Sequence, residues 1–477
     1  MRPLRLSEIA AWCGGELLGE DRTITAIGND SRTAAAGSLY VALPGERFDG
    51  HAFCADAAAA GASGLLVARP VDSDLPQVCC ADTTRALADI ATALARTRTG
   101  RIAAVTGSNG KTTVKTLIAA ILECAAPGRS HANPGNRNNE IGLPLAVIAA
   151  PEDARYSVYE MGAGKPGDIA YLAAIVQPSV ALVNNIGPAH LERLGSLLGV
   201  AETKGAIHAA LAADGVAVIN ADDAFAPWFR QRIGARVRVL DFGLDGNAEV
   251  RAEAVRPDAG GWRFRLRLAD AVAEAHLAMP GRHNLGNALA AAAVGHAFGF
   301  AIETVVAGLA AAQAVPGRQA VHRLSDRLCL IDDSYNANPG SVEAAIEVLR
   351  GWRDGPQSVA GSRSLHRWLV LGDMAELGPD GPALHAAIGQ RARAAGLDRV
   401  FTVGRLSAEV SRAFGDGAAH FDRPEALTEA LTAALAELDG PVVMLVKGSR
   451  SAGMERVVAA VVNRNRTGSD REAEHAS

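Results

Sequence analysis

The sequence lacks the long apolar runs and the excess positive charge that mark two large classes of protein. No uninterrupted apolar run approaches the roughly 18 to 20 residues that a membrane-spanning helix needs, and the opening MRPLRLSEIAAWCGG has no apolar core typical of a signal peptide. A net charge of −5 provides no basic footprint for nucleic acid. We therefore expect a cytoplasmic protein that neither inserts into a membrane nor binds nucleic acid.

The cysteines are too scattered to build a site of their own. None belongs to a C-x-x-C pair, the spacing that zinc sites and redox motifs use. Disulfide frameworks are typical of short secreted domains, whereas this chain has 477 residues. The sequence therefore predicts neither zinc nor disulfide bonds at its six cysteines, which are Cys13, Cys54, Cys79, Cys80, Cys124 and Cys329.

What the chain does contain is a signal for nucleotide phosphates. The apolar run IAAV at 102–105 leads into TGSNGKTT at 106–113, and apolar residues then recur at helical spacing. A strand, a glycine-rich loop and a helix N-terminus together point N–H groups at an anion, Lys111 can reach terminal phosphates, and a threonine hydroxyl can bind Mg²⁺. The pattern departs from the common G-x-x-x-x-G-K-[ST] because position 105 is valine. The alternative is an ordinary turn that happens to contain glycines and a lysine.

Strand and helix patterns alternate along most of the chain, which is too long for one ordinary core. This predicts an α/β protein of three domains. We expect a small α/β domain at residues 1–85, a central phosphate-loop domain with a mostly parallel sheet at 86–316, and a Rossmann-like α/β domain at 317–463. The polar tail at 464–477 lacks periodicity, and we expect it to be disordered.

The segment WRFRLRL at 262–268 breaks this parallel pattern. Apolar residues and arginines alternate strictly along it, as in an antiparallel strand with one face in solvent. We interpret the arginines as a solvated face rather than as a binding patch.

Polar residues follow several of the predicted strands, at the sheet edge where such folds bind ligands. Glu160 closes YSVYE, and a carboxylate there can hold Mg²⁺ beside phosphates. His190 follows VALVNNIGPA in the same way, and Asp333, Tyr335 and Asn336 follow the strand that ends in DD. A single such residue is more often a cap, but several of them beside one phosphate loop favour a site.

Asparagines also cluster, and here the residues leave alternatives open. NPGNRNNE at 133–140 favours turns, although its amides can hydrogen-bond a sugar or a peptide. Asn284 and Asn287 stand three apart at a predicted helix start, where one can cap the helix and the other can meet a base edge. Lys204 lies within a predicted helix and, taken alone, reads as a surface lysine.

These motifs occur together in the order found in one family. TGSNGKTT, EMGAG, NNIGPAHLE, GRHNLGN, PGR, DDSYNANP, LGDMAELG and VKGSRSAGMERVV resemble the Mur ligases across about residues 28 to 460. With DSRTAAAGSLYVALPGERFDGHAF, they are most similar to the members that join D-alanyl-D-alanine to UDP-N-acetylmuramoyl-tripeptide in peptidoglycan synthesis. The phosphate loop alone would also suit folylpolyglutamate synthetase, a relative, but DDSYNANP and LGDMAELG do not.

The resemblance assigns expected roles residue by residue. It implies that ATP is bound by Gly107, Ser108, Asn109, Gly110, Lys111, Thr112, Thr113, Asn284, Asn287, Arg318, Asp333, Tyr335 and Asn336. It implies Mg²⁺ ligands at Thr112, Glu160, His190 and a carbamylated Lys204. It implies that the UDP-peptide substrate is held by Ser31, Arg32, Asp49, His51, Asn136 and Asn139. Catalysis is expected from Lys111, Lys204, His190 and Arg318, in a protein that acts as a monomer.

One position departs from the family pattern. The glutamate that usually follows the helical lysine is absent, because the sequence reads Lys204, Gly205, Ala206. This puts the local support of Lys204 in question, although its position in the helix is kept.

The resemblance implies an ATP-dependent ligase in which a carboxylate is converted to an acyl phosphate and then attacked by the amine of D-alanyl-D-alanine. Arg318 and Asp333 belong to the third domain, so closure of that domain would complete the site. Two alternatives stay open: a sister ligase that adds another amino acid, and a nucleotide-binding regulator without chemistry. The chain has no DNPR-like stretch in its third domain, the mark of the diaminopimelate-adding sister.

Overall fold

The N-terminal part of the molecule is a small α/β unit. The structure is a computed structural model that describes residues 1–45, 48–258, 260–352 and 365–475. The elements of this part are β1 (Leu4–Arg5), α1 (Leu6–Cys13), β2 (Glu16–Leu18), β3 (Thr23–Ile24), β4 (Ala26–Gly28), β5 (Ser38–Val41), α2 (Cys54–Ala59), β6 (Gly64–Val67), β7 (Gln77–Cys79) and α3 (Thr83–Thr97). Strands β4 to β7 are parallel and β2 adds an antiparallel edge, in the order β2-β7-β6-β5-β4.

The central part is built on one nine-stranded sheet in the order β16-β15-β14-β13-β12-β11-β8-β10-β9. Its strands β8 to β13 are parallel, and their helices lie between them in sequence. The elements are β8 (Arg101–Thr106), α4 (Lys111–Ala125), β9 (Ser130–Ala132), α5 (Gly142–Ala149), β10 (Tyr156–Glu160), α6 (Asp168–Val176), β11 (Val180–Val183), α7 (Leu191–Leu194), α8 (Leu197–Ala209), β12 (Val216–Asn220), α9 (Ala226–Arg232), β13 (Arg238–Gly243), β14 (Val250–Asp258), β15 (Gly261–Leu268), β16 (Ala271–Leu277), α10 (Arg282–Ala297) and α11 (Ile302–Ala311).

The middle strands of this sheet are covered on both faces. Ala103 and Val105 of β8 pack into the core that contains α4 and α10, whereas Ala104 faces the core that contains α5, α6 and α8. Burial on both faces explains the continuous apolar runs of these strands. Because β8, β10 and β11 are parallel, the polar residues that follow them lie at one edge of the sheet.

Strand β14 pairs in parallel with β13, and β15 and β16 then extend the sheet in antiparallel fashion. Phe264 and Leu266 are buried on one face of β15, while Arg263 and Arg265 are exposed on the other. Arg265 and Arg267 of β15 pair across the strands with Glu253 of β14, and Arg251 pairs with Glu253 along β14 itself. The predicted half-exposed antiparallel strand is confirmed, and its arginines are neutralised by neighbouring carboxylates.

The C-terminal part is a second α/β unit with the strand order β17-β18-β22-β19-β20-β21, parallel except for the edge strand β17. Its elements are β17 (Ala320–Arg323), β18 (Leu328–Asp333), α12 (Pro339–Gly351), β19 (His366–Gly372), α13 (Gly381–Ala394), β20 (Arg399–Val403), α14 (Ala408–Phe414), β21 (Ala418–Phe421), α15 (Pro424–Glu437), β22 (Val442–Lys447) and α16 (Glu455–His475). The predicted three-part α/β architecture is confirmed.

Two features differ from the predicted segmentation. Helix α3 runs across the expected boundary at residue 85 and packs on α5 and α6 of the central part. Helix α16 continues to His475, so residues 464–475 are helical where we expected disorder. Arginine, glutamate and alanine are good helix formers, so a polar segment can prolong a packed helix without an apolar pattern of its own.

Among the described residues, no helix combines the length and the apolar character needed to cross a membrane.

Candidate active site

The phosphate loop connects β8 to α4 and requires glycine at its last position. Gly110 has a φ of +78°, and a Cβ there would lie 2.5 Å from Oδ1 of Asn287 and 2.7 Å from Nδ2 of Asn184. Lys111 folds back over the loop and donates hydrogen bonds to the carbonyls of Gly107 and Ser108, at 2.7 and 3.2 Å. Burial lowers the pKa of Lys111, the nearby Glu160 opposes this, and the Arg318 guanidinium lowers it further. The Lys111 ammonium is therefore positioned to bind an anion, and it can do so by giving up its hydrogen bonds to the loop carbonyls.

Glu160, at the end of β10, is buried in a fixed network. Its carboxylate accepts hydrogen bonds from Thr112 Oγ1 at 2.8 Å and from Asn138 Nδ2 at 2.7 Å. The Lys115 ammonium lies 3.6 Å from Oε2, and Asn133 bonds both the N–H and the C=O of Glu160. The carboxylate and hydroxyl oxygens are thus held side by side, next to the phosphate loop.

This donor set fits Mg²⁺. Hard oxygen ligands suit this ion, which keeps waters and commonly takes only one or two carboxylates in addition to substrate phosphates. In the described part of the chain, no three His, Cys, Asp or Glu side chains form a ready-made metal cage. The residues present therefore fit an ion that arrives with the nucleotide rather than one held by the protein alone.

His190 and Lys204 both feel the charge of Lys111 in the phosphate loop. His190 is the residue before α7, and its Nδ1 lies 2.7 Å from Oε2 of Glu376, which belongs to the C-terminal part. Burial lowers the pKa of His190, Glu376 opposes this, and Lys111 and Lys204 lower it further. These electrostatic effects place both lysines near the imidazole.

Lys204 is not a surface residue. Its side chain is 1% exposed, and burial, followed by the charge of Lys111, shifts its pKa well below the ordinary value. The missing family glutamate has a packing explanation, because a Cβ on Gly205 would lie 2.8 Å from the Phe229 ring and 3.3 Å from that of Trp228. Aromatic rings occupy the space that a longer side chain would need.

The asparagines of α10 bond to each other and to residues that flank the phosphate loop. Asn287 Nδ2 donates to Asn284 Oδ1 at 3.0 Å, and Asn287 Oδ1 accepts from Asn184 Nδ2 at 2.9 Å. Asn284 Nδ2 also donates to the Pro280 carbonyl and to Gln319 Oε1. Asn287 is thus linked to the phosphate loop through Asn184, which also donates to the Asn109 carbonyl, and Asn284 is linked to the residue after Arg318.

The C-terminal part contributes a second group of side chains. The guanidinium of Arg318 lies over the ring of Tyr335, with 4.2 Å between its Cζ and the ring centroid. Lys447 is buried and donates hydrogen bonds of 2.8 Å to Asp333 Oδ2 and to the Asn336 carbonyl. These bonds hold the loop after β18 in one conformation.

A single cavity of about 620 Å³ joins the two groups. Of the residues predicted for the site, it is lined by Ser108, Asn109, Gly110, Lys111, Thr112, Thr113, Asn136, Asn139, Glu160, His190, Asn284, Asn287, Arg318, Asp333, Tyr335 and Asn336. Gly107 and Lys204 lie behind this lining, in the loop and in α8. The central and C-terminal parts thus enclose one polar space.

The residues predicted to bind the UDP end lie apart from this cavity. Both ring nitrogens of His51 are engaged, Nδ1 with Asp49 at 2.6 Å and Nε2 with the Ala68 N–H at 2.9 Å. Arg32 is exposed and pairs with Asp30, whose pKa it lowers, and Ser31 lies in the same 3₁₀ turn. Residues 46 and 47 of the GERFDGH loop lie outside the described residues.

Sequence reasoning missed several residues of the site. Lys115 lies one helical turn beyond Lys111, and this spacing was a usable signal. Asn133 and Asn138 were noticed only as part of an asparagine-rich loop. Lys447 belongs to the motif VKGSRSAGMERVV and Glu376 to LGDMAELG. Nothing in the sequence shows that Lys447 contacts Asp333 or that Glu376 contacts His190.

The chain is similar to known proteins along most of its length. Descriptions of the Mur ligase family match the chain in three places: the catalytic domain at 23–97, the middle domain at 105–295 and the glutamate ligase domain at 317–450. UDP-N-acetylmuramoyl-tripeptide–D-alanyl-D-alanine ligase of Escherichia coli strain K12 is 42% identical over 97% of this chain and 99% of its own length.

Solved structures show the same similarity. MurF from Acinetobacter baumannii superposes with a TM-score of 0.89 at 29% identity, covering 97% of this chain and 99% of that chain. MurF ligase from Thermotoga maritima, solved in complex with ADP, gives 0.80 at 28% identity, covering 93% and 98%.

Proposed function

Because the chain belongs to the Mur ligase family, we propose that it joins D-alanyl-D-alanine to UDP-N-acetylmuramoyl-tripeptide and converts ATP to ADP and phosphate in doing so. The observation that carries the proposal is the shared cavity, in which Lys111 and Glu160 of one domain face Arg318 and Asp333 of another. A ligase must hold a nucleotide and a carboxylate together, and a two-domain cavity of this size can do so.

The residues divide into three functions. The loop from Gly107 to Thr113 holds the ATP phosphates, Lys111 and Arg318 offset charge on the transferred phosphoryl group, and Asp333 meets the ribose. Thr112, Glu160, His190 and a carbamylated Lys204 hold Mg²⁺. Asn136 and Asn139 bind the peptide end of the substrate, while the domain of residues 1–85 binds its UDP end.

The chemistry follows from the weak reactivity of a carboxylate. An oxygen of the tripeptide carboxylate attacks the γ-phosphorus of ATP, ADP leaves, and an acyl phosphate forms. The neutral amine of D-alanyl-D-alanine then attacks the acyl carbon, phosphate leaves, and the ammonium proton is lost. Arg318 reaches the reacting phosphoryl group only because the C-terminal domain covers the phosphate loop, and this cover also excludes water from the acyl phosphate.

The test is ADP release from UDP-N-acetylmuramoyl-tripeptide and ATP, with and without D-alanyl-D-alanine. We expect turnover only with all three substrates and a product that gains the mass of the dipeptide minus water. Turnover with diaminopimelate or glutamate instead would identify a sister ligase, and nucleotide binding without turnover would identify a regulator.

The setting of the reaction belongs to the same proposal. We expect a cytoplasmic monomer, since its nucleotide substrates are cytoplasmic. We also propose the division into domains at 1–85, 86–316 and 317–463, with α3 spanning the first boundary and α16 continuing past the last.

A further inference from the structure

The motif LGDMAELG, at 371–378, has no part in the proposed chemistry, and most of it serves its own domain. The Asp373 carboxylate accepts hydrogen bonds from the N–H groups of Arg405, Leu406 and Ser407, at 2.7 to 3.0 Å. Met374 is fully buried, and its N–H donates to His385. These contacts fix the loop after β19 but do not account for the glutamate that follows.

Glu376 reaches into the neighbouring domain. Its Oε2 lies 2.7 Å from Nδ1 of His190, and 59% of its side chain remains exposed. The backbones at both ends of this contact are left-handed, with φ of +53° at His190 and +59° at Glu376. Non-glycine residues seldom adopt this conformation, and where they do, the surrounding structure often holds a side chain for a purpose.

The contact determines which imidazole nitrogen is free. A carboxylate only accepts hydrogen bonds, so Nδ1 carries a proton, and in the neutral imidazole this leaves the lone pair on Nε2. Histidines that bind metals are commonly oriented in this way, with the second nitrogen donating to a carboxylate. Here the carboxylate comes from a different domain from the histidine.

We propose that Glu376 is a positioning residue, which fixes the tautomer and orientation of His190 for Mg²⁺ once the C-terminal domain covers the phosphate loop. The inference rests on the metal-binding role given to His190 in the proposed function. It adds a dependence on closure: His190 is oriented for the ion only when the domain that carries Arg318 and Asp333 is in place.

Kinetics provide the first test. Glu376→Ala should lower kcat 10- to 100-fold with little change in the KM for D-alanyl-D-alanine. Glu376→Gln keeps an oxygen that accepts from Nδ1–H and should recover most of the loss. Glu425→Ala, an exposed glutamate in the first turn of α15, is the matched control and should behave as the parent. Adding Glu376→Ala to His190→Ala should cost nothing further.

Metal binding provides a readout independent of turnover. Mn²⁺ affinity, measured by electron paramagnetic resonance with saturating AMP-PNP, should fall 10- to 100-fold in Glu376→Ala and stay within about threefold of the parent in Glu376→Gln. Parent-like Mn²⁺ affinity in Glu376→Ala overturns the proposal. If Mn²⁺ affinity is also unchanged in His190→Ala, the metal-binding role of His190 is wrong. If Mn²⁺ affinity falls in His190→Ala but not in Glu376→Ala, the proposal for Glu376 fails and the proposed function stands.

Discussion

Asn338 Nδ2 donates a hydrogen bond of 2.8 Å to Oδ1 of Asn109. This bond joins the start of α12, a helix of the C-terminal part, directly to the phosphate loop. The same side chain caps its own helix, because Asn338 Oδ1 accepts from the Ser341 N–H at 2.9 Å. A helix cap alone would account for an asparagine at this position. The structure adds a contact between domains, made where nucleotide phosphates are expected.

These two roles of Asn338 can be separated. Asn338→Ser keeps a capping oxygen but cannot reach Asn109, whereas Asn338→Ala loses both. We expect Asn338→Ala to lose about 1 kcal/mol of unfolding free energy and Asn338→Ser to keep the stability of the parent. Both variants should raise the KM for ATP. Urea unfolding and steady-state kinetics measure the two effects. A serine variant with parental KM would show that the contact contributes nothing to nucleotide binding.

Lys111 should be essential for turnover and dispensable for folding. Its ammonium bonds only loop carbonyls in this structure, so Lys111→Ala removes no core packing. We expect ligation to fall by at least about 10²-fold, as for the loss of a main electrostatic contact in the transition state. Circular dichroism and thermal unfolding should match the parent. Near-normal turnover in a folded variant would contradict the phosphate role.

Sequence reasoning found the parts of this molecule that have local signals. The phosphate loop, the strand ends at Glu160 and His190, and the alternating strand β15 each follow from the pattern around them. The pairs Glu376–His190 and Asn338–Asn109 could not be predicted in this way, because the partners of each pair lie far apart in the sequence and in different domains. No local pattern encodes how two domains meet. The burial of Lys204 was missed for a related reason, since it depends on how α8 packs in the folded chain.

Gly205 should tolerate no side chain while Phe229 is present. Alanine gains helix propensity, but its Cβ would lie 2.8 Å from the Phe229 ring. We expect Gly205→Ala to lower the unfolding free energy by about 1 to 3 kcal/mol, as overpacking does. Phe229→Leu should then be less harmful in the Gly205→Ala background than in the parent, as a double-mutant cycle in urea would show. Additive losses would exclude the steric explanation.

His208 should make stability depend on pH. It is buried with no hydrogen-bond partner for Nε2 among the described residues, and burial lowers its pKa from 6.5 to about 4. Between these values the unfolded chain binds a proton that the folded chain does not, so stability falls as the pH falls from 6.5 toward 4. The full loss is on the order of 3 kcal/mol. His208→Leu should remove this part of the slope in urea unfolding at pH 5 and 7.5, and an unchanged slope would contradict it.

Lys204 gives the sharpest test, because its chemistry depends on whether it carries a positive or a negative charge. An ammonium beside Mg²⁺ would be repelled by on the order of 1 kcal/mol or more per charge at a few Å, even under strong screening. Carbamylation reverses the sign but requires the neutral amine, and burial supplies it by lowering the lysine pKa. Lys204→Ala should therefore lose most activity, and a small added carboxylate should restore part of it. Removing bicarbonate and CO₂ should inactivate the parent reversibly and leave the alanine variant unchanged, whereas an alanine variant as active as the parent would mean that this buried lysine has no part in catalysis.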